Sequence, residues 1–503
     1  MLAAIHSATL LGVTGQPVTV EVHVGVGIPS FQMVGLPDEA CRESRDRVRA
    51  ALLSSGLTYP NARITVNLAP SGIRKGGSGL DLALAVGVLV ASEQIDPARV
   101  ETLSFVGELG LDGSVRPLPG VAPMVACRIG RTPVVPAASW HEAAAVAGDE
   151  VRAVESLSAL HHALTGGRWP DPPAARPAGD EPAPPDLGDV RGQRAARLGL
   201  ELAAAGAHHL FLVGPPGSGK TMIAQRLVGL LPPLDRATAL EATMIHSATG
   251  TRLPPGGVVR RAPFCAPHHS ATMVSLVGGG SSTLRPGLAS LAHGGVLFLD
   301  ELGEFSAVVL DALRQPLEEG VIRVARAHAS ATLPARFLLV GATNPCPCGG
   351  GPPGSCECDE TARARYLRRL SGPLLDRFDL RIGVERTAVD DLMAGGGGEP
   401  TAVVAQRVAA ARALAHARAG MLNSAIRPGR LDELAPATPA ALQLLRGELE
   451  AGRLTGRGLH RVRRVARTIA DLHGGDELVG DQHMALALQL RTPVGRQIGG
   501  RAA

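Results

Sequence analysis

Aromatic side chains are scarce in this chain: Phe, Trp and Tyr make up 2% of its 503 residues. The cores must therefore be built from Ala, Val and Leu, and the base-stacking platforms of many single-strand binders have little to be made from. Charge of one sign is also in short supply. A net charge of +4 and a pI near 8.8 permit a polyanionic partner without demanding one, so clustering has to decide. No apolar run reaches the ~18 residues a membrane span needs. Met1–Gly15 is apolar but has no Lys or Arg ahead of the run, and the alternating stretch Val18–Val24 follows it. A first strand of a domain fits this better than a secretion signal. Cysteines are few and odd in number: seven, of which four fall between Cys346 and Cys358. That is no secreted disulfide framework, and the expected compartment is a reducing cytoplasm.

What is present divides the chain. Its length predicts about three domains. Residues 1–165 read as mixed α/β: Arg63–Leu68 alternates like a half-buried strand, and Leu80–Ala91 is apolar nearly all round, like a buried helix. Residues 166–188 hold seven prolines among Gly, Ala and acidic residues, which predicts a linker. From 189 to 385, helices alternate with apolar strands at His209–Val213, Val296–Leu299 and Phe337–Gly341. This predicts a parallel sheet with helices on both faces. Beyond 386 the strand signal ends. Residues 400–490 are rich in Ala, Leu and Arg at helical spacing, so 386–503 reads as a helical lid, with Gly395–Gly398 as a flexible loop. The fold class is α/β, a P-loop parallel sheet with a helical lid.

The strand His209–Val213 runs into Gly214-Pro215-Pro216-Gly217-Ser218-Gly219-Lys220-Thr221, which matches GxxxxGK[ST], and a helix is predicted over Met222–Leu231. Glycines let backbone N–H groups turn toward phosphates, and the helix start adds its positive dipole end. Lys220 would reach the β- and γ-phosphates of ATP, and the Thr221 hydroxyl would bind Mg²⁺. A second apolar strand ends in Asp300-Glu301. Asp300 would hold Mg²⁺, directly or through water, and Glu301 would orient and deprotonate the attacking water. A third ends at Asn344, placed to hydrogen-bond the γ-phosphate or the lytic water.

Four thiols, Cys346, Cys348, Cys356 and Cys358, share one Gly/Pro-rich loop directly after Asn344. Four thiolates can surround Zn²⁺, although CxC pairs depart from the commoner CxxC spacing. The alternatives are four reduced cysteines in a mobile loop, or an iron–sulfur cluster. His268-His269 invites a metal reading too, but the surrounding Pro, Ser, Thr and Gly favour a loop-shaping or partner-contacting role.

Several longer strings carry a resemblance. They are Ala266-Pro267-His268-His269, Gly278-Gly279-Gly280, Leu291–Glu301, Asn344–Gly349 and Ala466–Leu472. Residues 189–490 resemble the magnesium-chelatase-like branch of AAA+ ATPases, and nearly the whole chain resembles the ComM/YifB family. The resemblance implies a ring, expected to be a hexamer. It implies that Arg377, in Leu374–Asp379, is an arginine finger serving a neighbouring subunit. It also implies that Arg457 is sensor 2, although Thr455 and Gly456 depart from the family's pattern there. Either arginine could instead be a surface ion-pair residue. Residues 1–165 resemble a Lon-protease-like domain of the ribosomal S5 domain 2 type. The register puts Leu80 or Asp81 where the Ser nucleophile belongs and Ala122 near the Lys, so a non-proteolytic scaffold is expected.

For the motor's substrate, the resemblance implies DNA: a helicase driving branch migration in natural transformation or recombination. The alternatives are a magnesium-chelatase-like metal-insertion motor and a protein-remodelling ATPase. Arg453, Arg457, Arg461, Arg463, Arg464 and Arg467, together with Arg260-Arg261, Arg323 and Arg326, could face phosphates or be solvated and intersubunit charges.

Overall fold

Alternation along the apolar strands sets the architecture of residues 186–384. In the strand Leu210–Val213, Leu210 and Leu212 face one core while Phe211 and Val213 face another. In Val296–Leu299, Val296 and Phe298 share the first core, Leu297 and Leu299 the second. A strand buried on both faces in this way belongs in the middle of a helix-covered parallel sheet. The computed structural model places it there. The sheet order is Phe264–Cys265, Val296–Leu299, Leu338–Thr343, Leu210–Val213, Leu380–Gly383, and all neighbours run parallel. The structure describes residues 1–491 except 73, 129, 175–181, 281–283, 327–328, 350–355, 360, 363–364, 367–371 and 394–396. The middle of the linker, the glycines at 395 and 396, the centre of the cysteine loop and the last twelve positions of the lid thus lie outside the described residues.

The first core also takes in the C-terminal helices. Val404, Val408 and Ala411 of Thr401–Ala419, Val462, Val465 and Ala466 of Gly456–Leu472, and Met484 and Ala487 of Asp481–Gln489 pack with Leu200, Ala203 and Leu227 of the sheet's own helices. One ionic tie reinforces this packing. Asp379, just before the last strand, accepts from Arg461 of the helix Gly456–Leu472 and from the His209 amide at 3.1 Å. Burial alone would raise the Asp379 carboxyl, but the His208 imidazole, 3.7 Å away, and the Arg461 charge hold it well below the usual carboxylate range.

The N-terminal residues form a seven-stranded mixed sheet: Ser30–Val34, Arg63–Ala69, Thr14–Gly25, Leu2–Leu11, Leu103–Phe105, Thr132–Pro136, Arg152–Val154. The opening apolar run is itself the strand Leu2–Leu11, paired antiparallel with Thr14–Gly25 from Leu2 opposite His23 to Leu11 opposite Thr14. The helix Asp81–Ala91 lies across both strands with all eleven residues buried. Gly87 permits the approach, since a Cβ there would meet Val22 at 2.6 Å. The turn between the first two strands inserts Val13 into the second core of the ATPase sheet. A second joint forms at Ser247 of the helix Arg236–Thr249. Its carbonyl accepts from the Gly120 amide at 2.8 Å, and its hydroxyl donates to Glu142 at 2.6 Å. Residues 166–174 and 182–186 carry no helix or strand.

Candidate functional site

In a parallel sheet the loops that leave the strands' C-terminal ends converge on one edge. Here Leu210–Val213 leads into Gly214–Thr221, Val296–Leu299 into Asp300-Glu301, and Leu338–Thr343 into Asn344. The first loop turns through two left-handed glycines, Gly217 (φ +75°) and Gly219 (φ +87°), and the helix Lys220–Leu230 starts directly after it. Gly214 lies so close to the neighbouring strand end that a Cβ would meet the Val384 carbonyl oxygen at 2.1 Å.

The side chains expected to share a site meet there. Lys220 Nζ donates to the carbonyls of Gly214 and Pro215 at 2.7 and 2.9 Å and to Asn344 Oδ1 at 3.1 Å. Burial pulls the Lys220 ammonium below its ordinary pKa, against the opposing charges of Asp300 and Glu301. Thr221 Oγ1 donates to Asp300 Oδ2 at 2.6 Å, and the other Asp300 oxygen accepts from the Glu301 amide at 2.9 Å. The loop also buries Ser218 Oγ without a hydrogen-bond partner among the described residues. An anion-binding loop, a buried ammonium and an adjoining hydroxyl–carboxylate pair form a donor set that fits a nucleoside triphosphate with Mg²⁺.

Two partners were not legible as such. His269 Nδ1 lies 3.0 Å from Glu301 Oε2, so this histidine serves the strand-end acid as well as its own loop. Thr343, just before Asn344, shares a hydrogen bond of 2.7 Å with the buried Tyr366 hydroxyl.

The four cysteines also converge. Their sulfurs all lie within 4.8 Å of one another, and Cys346–Cys348, Cys348–Cys356 and Cys356–Cys346 are each 3.4 Å apart. Four sulfurs about 2.3 Å from a tetrahedral Zn²⁺ would sit about 3.8 Å apart, within that spread. Backbone amides of Cys348 and Cys358 point at the sulfurs of Cys358 and Cys356, the environment a thiolate favours. The loop rests on the phosphate-binding loop, since a Cβ on Gly349 would meet Pro216 at 2.5 Å.

Arg377 lies elsewhere. It precedes Leu380, which pairs with Leu210, so it stands at the N-terminal edge of the sheet while Lys220 stands beyond the C-terminal edge. Four strand residues separate the two edges, roughly 13 Å. Arg377 is ion-paired to Glu318, and burial plus the charges of Arg461, Arg457 and Arg314 lower its pKa. Arg457 is exposed one helical turn before Arg461, whose guanidinium donates to the Arg377 carbonyl at 2.9 Å.

Comparison with known proteins settles the family. Models described as magnesium chelatase, subunit ChlI, match residues 186–392; subunit ChlI of Mg-chelatase, 20–138; and the ChlI C-terminal part, 398–491. Competence protein ComM of Haemophilus influenzae is 40% identical, with 98% of each chain covered. The uncharacterized protein YifB of Escherichia coli is 40% identical over 97% of each. An uncharacterized protein of Mycobacterium tuberculosis is 45% identical over 97% of this chain and 98% of its own. The chain belongs to the ComM/YifB family of magnesium-chelatase-like AAA+ proteins. Its mixed α/β architecture with a parallel nucleotide-loop sheet fits that family.

In this ComM/YifB-family chain Arg463 and Arg467 of the lid are buried and Arg461 and Arg464 half-buried, while Arg453 and Arg457 are exposed. Arg467 is 1% exposed and bonded to Asp471 at 2.9 Å. Arg463 is held by Asp432 and the carbonyls of Leu431 and Ala435, Arg464 by the Ile426 carbonyl, Arg461 by Asp379, and Arg453 by Glu448. A guanidinium's fixed fork of donors suits carbonyls at helix ends as well as phosphates. Arg323 pairs with Glu319 on the strand Val321–Arg326, Arg261 donates to the Pro182 carbonyl at 2.6 Å, Arg260 is exposed, and the side chain of Arg326 lies outside the described residues. His293, within the family string Leu291–Glu301, is structural. It is buried, bonds Glu241 at 2.8 Å and accepts from the Arg336 amide at 3.1 Å. Among the described residues no helix is long and apolar enough to cross a membrane.

Proposed function

We propose that this chain is a ring-forming, ATP-driven motor that moves branched DNA. Residues 1–165 form a non-proteolytic Lon-like scaffold, 189–385 the ATPase core and 386–503 the lid. The observation that carries the ATPase reading is the meeting of Lys220, Asn344, Thr221, Asp300 and Glu301 at one sheet edge. Gly214–Thr221 cradle the triphosphate. Thr221 and Asp300 would hold Mg²⁺, which would offset phosphate charge when bound. Asn344 orients the water or the γ-phosphate, and Glu301 accepts the water's proton. Arg377 and Arg457 form a positive pair on the far edge, suited to the nucleotide of an adjoining copy. The position of Arg457 favours action across the subunit boundary over the within-chain sensor role its lid location implies.

Two observations support an inert scaffold. Asp81, at the nucleophile register, is buried against Arg47 at 2.7 Å and Ser44, and Ala122 is buried in the helix Val121–Ala126. The packing of the cysteine sulfurs supports a structural Zn²⁺ at Cys346, Cys348, Cys356 and Cys358. DNA as the substrate is supported by near full-length similarity to a protein named for competence. The match to chelatase models keeps metal insertion as the second reading.

The test uses the full chain with forked and four-way DNA, with and without ATP, scoring binding, ATPase stimulation and strand exchange. Binding should fall steeply with salt as counterions are released. Junction DNA that neither binds nor stimulates hydrolysis from low to moderate salt removes the DNA reading and puts metal insertion or protein remodelling in its place.

A further inference from the structure

The strands that end in Asp300-Glu301 and in Asn344 are bridged at their ends by one side chain from outside the sheet. Tyr366 follows the cysteine loop in the chain and is 5% exposed. Its ring lies on the turn after Glu301: a Cβ on Gly303 would meet Tyr366 Cε2 at 2.7 Å, Cζ at 2.8 Å and Oη at 3.0 Å. Only a residue without a side chain lets the phenol come so near that backbone. The hydroxyl reaches the next strand and shares a hydrogen bond of 2.7 Å with Thr343 Oγ1. Burial raises the phenol's pKa, while the Thr343 hydroxyl and the backbone of Asn344 draw it down. Thr343 is fully buried and tied on its other side. It pairs with Val213, and its carbonyl accepts from the amide of Gly214, the first residue of the phosphate loop, at 3.2 Å. One residue on, Asn344 Oδ1 accepts from Lys220 at 3.1 Å. With that oxygen engaged, the side-chain NH₂ of Asn344 is the group left for a γ-phosphate or a water.

Resting on the reading of Asn344 as the group that orients the γ-phosphate or the water, we propose that Tyr366 is a positioning residue for ATP hydrolysis. Its hydroxyl fixes the strand end Thr343-Asn344 against the turn at Gly303, so that Asn344 keeps one place relative to Lys220 and Glu301. A close-packed phenol has few ways to yield, which suits it to hold that spacing while ATP binds and products leave. Tyr366 touches neither nucleotide nor water in this scheme; it acts through Asn344.

The test is steady-state ATPase kinetics on the full chain, beside thermal melting and a separate measurement of ATP binding. Tyr366→Phe keeps the ring and removes the hydroxyl. It is expected to lower kcat about 10-fold with ATP affinity little changed, because a small misplacement near the reacting groups is costly. It also leaves the buried Thr343 hydroxyl without this partner, so Tm should fall. Adding Thr343→Val to Tyr366→Phe removes both polar groups at nearly constant shape, and should restore Tm without restoring kcat. In an Asn344→Ala background, Tyr366→Phe should cost no further turnover, because the two act as one unit. Wild-type kcat in Tyr366→Phe, kcat that returns together with Tm in the double variant, or an equal loss with and without Asn344 overturns the proposal while leaving Asn344 in its role. Near-wild-type turnover by Asn344→Ala overturns the reading of Asn344 itself.

Discussion

Lys220 already sits among three oxygens, and one of them belongs to Asn344 on the next strand. Its ammonium is thus held at the junction of two strand ends, where a γ-phosphate would compete for it. Lys220→Ala should cut ATP turnover by at least about 10²-fold, since it removes a charge aimed at the transferring group. Glu301→Gln should bind ATP with near-normal affinity yet leave it uncleaved. A filter-binding assay beside a phosphate-release assay separates the two, and near-wild-type release by Lys220→Ala would sink the central assignment. These residues were legible because each ends an apolar strand that announces itself by composition. His269 was not. Its strand, Phe264–Cys265, is two residues long, and only its register against Val296–Leu299 brings the imidazole to Glu301. Tyr366 was hidden for a similar reason, since its partner Thr343 is 23 positions away in the chain.

The cysteine loop links chemistry to an element's shape. It follows the strand Leu338–Thr343 directly after Asn344, and Gly349 lies against Pro216 of the phosphate loop. A metal knot there would fix both the exit of that strand and one wall of the nucleotide site. Protein purified under reduction and without chelator should carry about one zinc per chain by elemental analysis. Cys346→Ser, at the fully buried ligand, should lower that content and weaken ATP binding together, because the loop loses its anchor against Pro216. Metal-free protein with an intact thiol count and normal ATP binding counts against the site. The spacing of the thiols raised the metal reading, but only the folded loop brings them within 4.8 Å. The lid shows the opposite outcome. Its helices follow from Ala- and Leu-rich spacing, yet which arginines face outward does not, since Arg463 and Arg467 find carbonyls and carboxylates that are remote in sequence or one helical turn away.

At the scale of the molecule, the position of Arg377 bears on how many copies a working site would need, if this arginine serves a nucleotide at all. Its own Lys220 stands on the other side of the sheet, roughly 13 Å of strand away, which exceeds the reach of one side chain. Arg377 and Arg457 must therefore serve the nucleotide of a second copy if they serve any, and repetition of that head-to-tail contact closes a ring. Arg377→Ala should keep ATP binding and lose turnover by about 10³-fold or more, the usual contribution of such a group. Lys220→Ala should also be inactive, for a different reason. When the two inactive proteins are mixed and allowed to exchange subunits, an intact phosphate loop from the first will face an intact arginine from the second at about one interface in four. Hydrolysis should then return to a measurable fraction of the wild-type rate, rising with subunit exchange time. If the mixture stays as inactive as its parts, although sizing or mass photometry shows mixed assemblies, Arg377 does not act across the subunit boundary.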